Sequence, residues 1–95
     1  MKLEELRSHK EAILALAAKY KAQHVRVFGS VARGDAKPQS DIDLLVEFQP
    51  DASLLDESNL DIALKKLLKC KVDLLGDDVM RPEFRPFILR DAIPL

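Results

Sequence analysis

A Gly-Ser pair, Gly29-Ser30, stands ten residues ahead of an acidic pair on alternate positions, Asp41-Ile42-Asp43, and each pair adjoins an apolar run. Val25-Arg26-Val27-Phe28 leads into the first pair and Leu44-Leu45-Val46-Glu47-Phe48 follows the second, so both runs read as strands. Side chains alternate along a strand, which puts Asp41 and Asp43 on one face. Two same-face carboxylates at a strand end suit Mg²⁺, a hard cation that takes oxygen ligands. Glycine at the end of the other strand admits close approach to the backbone, and the amides after it can form a helix start or nest for phosphate. The connection is too short for a usual parallel crossover, so the two strands are expected to pair antiparallel, with Ser30 meeting Asp41.

The remaining chain supplies a third carboxylate. Leu60, Ala63, Leu64, Leu67 and Leu68 mark the buried face of a helix ending near Lys69, with Ser58 and Asp61 as its expected capping box. A short strand is expected at 71–75. The helix ahead of it permits a parallel crossover, which sets Asp73 beside Asp41 and Asp43. Upstream, Leu3, Leu6, Ile13, Leu16, Ala17 and Tyr20 give an amphipathic helix over 2–21, and strands are expected at 24–29 and 41–48. A short helix over 30–35 is broken at Gly34; Pro82 and Pro86 punctuate a C-terminal helical segment. The fold class is α/β (α+β): one domain over 1–95, with a mixed sheet of about three strands and helices packed on it. Tyr20 and His24 read as structural, Asp35, Asp77 and Asp78 as solvated turn residues, and Arg81, Arg85 and Arg90 as a solvated helical face, with a role against an acidic partner as the alternative. Arg33 is a candidate phosphate clamp through its forked donors, against a solvated helix residue or a pairing with Asp35.

Composition limits the chemistry. With 15 basic and 16 acidic residues the net charge is −1, which offers no basic face for a nucleic-acid template. The single Cys70 cannot form an internal disulfide, in keeping with a reducing cytosol. No apolar run is long enough to span a membrane, and the acidic start Met1-Lys2-Leu3-Glu4-Glu5 is unlike a signal peptide. A cytoplasmic location is expected.

From Gly29-Ser30-Val31-Ala32-Arg33-Gly34-Asp35 to Ser40-Asp41-Ile42-Asp43-Leu44-Leu45-Val46, the chain resembles the minimal nucleotidyltransferase (MNT) family of the DNA polymerase beta-like superfamily. The likeness continues through Lys71-Val72-Asp73-Leu74-Leu75 and Ile88-Leu89-Arg90-Asp91-Ala92-Ile93-Pro94-Leu95, with Cys70 a departure where a small residue is expected. It implies that Asp41 and Asp43 hold Mg²⁺, that Asp73 completes the metal site and activates the attacking hydroxyl, and that Gly29, Ser30 and Arg33 bind the nucleotide. It also implies a substrate and a partner: AMP would pass from ATP to a tyrosine hydroxyl of a HEPN-domain ribonuclease toxin. The chain would then be an antitoxin, assembled with its toxin as a hetero-oligomer. The alternative is an antitoxin that neutralises by contact alone. A sugar transferase using Asp-x-Asp leaves Gly29-Ser30 unexplained, and an antibiotic-type transferase would need acceptor-binding structure for which 95 residues leave little room.

Overall fold

A computed structural model describes residues 1–79 and 81–95. The expected N-terminal helix forms in two pieces, α1 (Leu3–Arg7) and α2 (Lys10–Lys19). The break falls at Ser8–His9, where the Ser8 hydroxyl turns back onto the Glu5 carbonyl and competes with the helical ladder. Leu6 of α1 and Ile13 and Ala17 of α2 are buried, as the apolar spacing requires.

Strand β1 (Ala22–Phe28) starts two residues before the expected position and carries a bulge. Strict alternation from buried Ala22 would turn His24 inward. Instead His24 adopts φ of 54°, the register shifts between Gln23 and Arg26, and Val25 and Val27 face the core. His24 stays exposed with Nε2 3.9 Å from Glu47, whereas Tyr20 packs at the core margin.

Five residues, Gly29–Arg33, make the short helix α3, which stops at Gly34 in the left-handed conformation. Strand β2 (Ile42–Phe48) pairs antiparallel with β1, as the short connection demands. Helix α4 (Leu54–Leu68) begins earlier than expected. The capping box belongs to Ser53 and Asp56: the Asp56 amide donates to Ser53 Oγ at 3.2 Å and the Ser53 amide to Asp56 Oδ2 at 2.9 Å. Ser58 lies inside the helix instead, and Asp61 accepts from Lys65 one turn on at 2.8 Å. The helix ends at Lys69 with φ of 55°, so the strained turn position precedes Cys70.

Strand β3 (Val72–Gly76) runs parallel to β2 and leads into a 3₁₀ turn, Asp77–Val79. Helix α5 (Arg85–Asp91) is followed by a two-residue strand β4 (Ile93–Pro94) on the free edge of β1. The sheet therefore has four strands, ordered β3-β2-β1-β4, one more than expected. Leu95 is buried, its amide donates to the Val25 carbonyl at 3.2 Å, and Arg7 donates to the carbonyls of Leu95 and Pro94. Leu95 is thus held within the chain, while Pro94 stays exposed.

The main core lies on one face of the sheet, where Val27, Ile42, Leu44, Val46 and Val72 meet Leu6, Ile13, Leu60, Leu64 and Leu68. The opposite face carries Arg26, Phe28, Asp43, Leu45, Asp73 and Leu75 by alternation. Leu45 is fully buried there, because the turn after β3 contacts β2 and α5 contacts β1. Asp77 and Arg85, expected in solvent, help tie that segment down. Asp77 lies 3.5 Å from Arg26 and 3.1 Å from Arg85. Phe84 and Phe87, by contrast, are more than half exposed. No described helix is long and apolar enough to cross a membrane.

Candidate active site

Strand register assembles the site. Phe28, the last residue of β1, is opposite Asp43, and Asp43 is opposite Asp73 across the parallel β2–β3 pair. Opposed residues share a face and stand close enough to interact, so the two carboxylates are neighbours. Asp41 lies just before β2 and is exposed. Gly29 follows Phe28 directly, which brings the Gly-Ser turn to the same row.

The Gly-Ser turn and the acidic strand are in contact. Gly29 holds φ of 71°, a conformation that disfavours any side chain. A Cβ placed there would also run into the Asp43 carboxylate, whose Cγ would be 3.0 Å away. Asp43 is therefore seated against the bare Cα of Gly29. That contact is the physical reason for glycine at this position. Ser30, part-buried, then opens α3 directly after that contact, and the first amides of the helix have no acceptor within it.

Charge is concentrated here. Burial, then the charges of Asp73 and Asp41, push the Asp43 carboxyl up to about 6, against a smaller pull downward from Arg33. Like charges held together disfavour ionisation unless something neutralises them. Among the described residues no three His, Cys, Asp or Glu side chains are gathered closely enough to hold a metal ion. Asp41, Asp43 and Asp73 share one end of the sheet without enclosing a common point. Oxygen-only donors and a carboxyl pushed up to about 6 nonetheless fit a hard divalent cation in donor type and charge.

Arg33 is engaged. Its Nη1 donates to Asp91 Oδ2 at 2.9 Å and its Nε to Asp35 Oδ2 at 3.3 Å. These hydrogen bonds, Asp91 first, raise its pKa. The pairing with Asp35 that the sequence offered is therefore present, although the Asp35 side chain stays mostly exposed as a turn residue. The Asp91 contact spans 58 residues and has no local signal in the sequence; only the packing of α3 against α5 reveals it.

Comparison with known proteins bears on this geometry. The nucleotidyltransferase domain model matches residues 9–94. The protein adenylyltransferase MntA of Thermococcus cleftensis is 35% identical over 95 residues, which cover 96% of this chain and 93% of that protein. A Methanocaldococcus jannaschii protein, provisionally named a protein adenylyltransferase, is 43% identical over 89 residues, 93% of this chain and 88% of its own. A solved structure described as a minimal nucleotidyltransferase matches at TM-score 0.89 and 49% identity, covering 100% of this chain and 97% of that one. A crystal structure of a toxin-antitoxin with AMP-PNP has the same fold, with TM-score 0.76 at 22% identity over 90% of this chain and 70% of that one. The chain is thus an enzyme of the nucleotidyltransferase domain family, of the minimal type.

Proposed function

We propose that this protein transfers AMP from ATP to a hydroxyl of a partner protein, a tyrosine of a HEPN-domain toxin, and so acts in the cytoplasm as its antitoxin. The observation that carries the reading is the row formed by Gly29, Asp43 and Asp73, with Asp43 seated on the Gly29 Cα and opposite Asp73. The relatives named as protein adenylyltransferases support the donor and the class of acceptor. The toxin–antitoxin structure of the same fold supports a toxin as partner.

Each residue then has a task. Ser30 and the α3 amides bind the outgoing β- and γ-phosphates, donors placed in advance for the charge that develops as the bond breaks. Mg²⁺, when held by Asp41, Asp43 and Asp73, would supply the positive charge that the triphosphate and the three carboxylates share. Arg33 adds a second positive group beside Ser30. Asp73, the most exposed member of the row, accepts the proton of the attacking hydroxyl. The hydroxyl oxygen bonds to the α-phosphorus, the bond from that phosphorus to the bridging β-oxygen breaks, and pyrophosphate leaves with the electron pair.

Phe84 and Phe87 lie on the segment that borders the carboxylate face, and their exposure suits a protein acceptor brought to that face. Taken alone, they would equally serve an antitoxin that neutralises by contact. The test incubates the protein with Mg²⁺, ATP labelled at the α-phosphate, and a candidate HEPN-domain toxin. Label on the toxin with equimolar pyrophosphate supports transfer. Asp73→Asn separates the two readings: toxin rescue in cells by this variant, with no nucleotide on the toxin, would favour contact alone.

A further inference from the structure

Arg33 and Ser30 are three residues apart on α3 and so occupy the same side of that helix. A guanidinium has five N–H donors. One on Nε and one on Nη1 are taken by Asp35 and Asp91, and Nη2 makes no hydrogen bond among the described residues. The two anchors differ in quality. The Asp35 side chain is 62% exposed, whereas that of Asp91 is 17% exposed and makes the shorter contact, 2.9 Å. Asp91 closes α5, whose other end is tied to Asp77 through Arg85. The arginine next to the Gly-Ser turn is thereby fastened to the segment that covers the far face of the sheet.

We propose that Asp91 is a positioning residue, which holds the Arg33 guanidinium so that its remaining N–H groups face the triphosphate bound beside Ser30. This rests on the nucleotide reading of the site and adds a residue to it. A long side chain already immobilised loses less freedom when it meets phosphate, so removing the anchor weakens binding. The opposite sign is physically available: an aspartate that withheld Arg33 from phosphate would, when removed, tighten binding.

Calorimetric titration of a non-hydrolysable ATP analogue with Mg²⁺ decides the matter across wild type, Asp91→Ala, Asp91→Glu, Arg33→Ala and the Arg33→Ala/Asp91→Ala pair. Asp91→Ala should weaken binding about two- to tenfold, and Asp91→Glu should recover part of the loss. In the Arg33→Ala background Asp91→Ala should change nothing further, and in transfer assays the single variant should raise KM for ATP more than it lowers kcat. Asp91→Asn, which keeps the shape, substitutes if the alanine chain loses its circular dichroism. An equal loss with and without Arg33, no effect of Arg33→Ala, or tighter binding by Asp91→Ala would overturn the inference while leaving the site in place. A wild type that binds no nucleotide would overturn the proposed function and this inference together.

Discussion

Replacing Asp43 by Asn should make the protein more stable at pH 8 and leave it unchanged near pH 4. The folded chain holds the Asp43 carboxyl at about 6, whereas an unfolded chain returns it to about 3.9. Across that window the folded state binds the proton more tightly, so stability falls as pH rises from about 4 to about 6. The gap between about 6 and about 3.9 sets an upper bound of about 3 kcal/mol. Asp43 is only partly buried, and solvent screening reduces this to about 1–2 kcal/mol. Asn keeps the shape that rests on Gly29, so packing is conserved while the charge goes. For a domain of this size the gain corresponds to about 5–15 °C in Tm. Thermal unfolding followed by circular dichroism, with EDTA present, at pH 8 and pH 4, measures it. A variant no more stable than wild type at pH 8, or a gap of equal size at both pH values, would refute the electrostatic reasoning.

Gly29→Ala combines a left-handed φ with a collision against Asp43 and should cost about 1–3 kcal/mol in denaturant titration, with transfer lost as the carboxylate is displaced. Ser30→Ala should weaken binding of a non-hydrolysable ATP analogue by at most about ten- to a hundredfold, the range of one hydrogen bond to a charged group, and EDTA should weaken wild-type binding; equal affinity with and without metal would count against a metal-bridged triphosphate. Asp73→Asn should eliminate transfer in the labelled-ATP assay while calorimetry still finds ATP and partner binding. Ser53→Ala removes the α4 capping box and should lower stability by about 0.5–2 kcal/mol, whereas Ser58→Ala should stay within about 0.5 kcal/mol of wild type, a contrast that chemical denaturation resolves.

Much of the site was legible because its signals are local. Gly29-Ser30 and Asp41-x-Asp43 sit at strand ends, and chain length between them forces antiparallel pairing. The crossover then brings Asp73 into register with Asp43. What escaped depends on competition or on distance. Ser53 and Ser58 both stand three residues before an aspartate, and exposed Leu54 and Leu55 hide the true helix start from a search for a buried stripe. The His24 bulge is a backbone solution to keeping Val25 and Val27 inward, and its residues carry no mark of it. Two-residue β4 exists because Leu95 finds a core site and Arg7 binds the last carbonyls, contacts that span more than 80 residues. The Arg33–Asp91 pair, 58 residues apart, is invisible for the same reason.

Nucleotide transfer by the Asp43–Asp73 row to a protein would leave added mass on that protein. Intact-mass spectrometry of the toxin, after incubation with this protein, ATP and Mg²⁺, tests it most directly. Whole AMP increments are expected with wild type, with pyrophosphate in equal amount, and no increment with the Asp41→Asn/Asp43→Asn double variant, whose circular dichroism stays native. Increments that persist with the double variant, or a mass gain of phosphate alone, would contradict it.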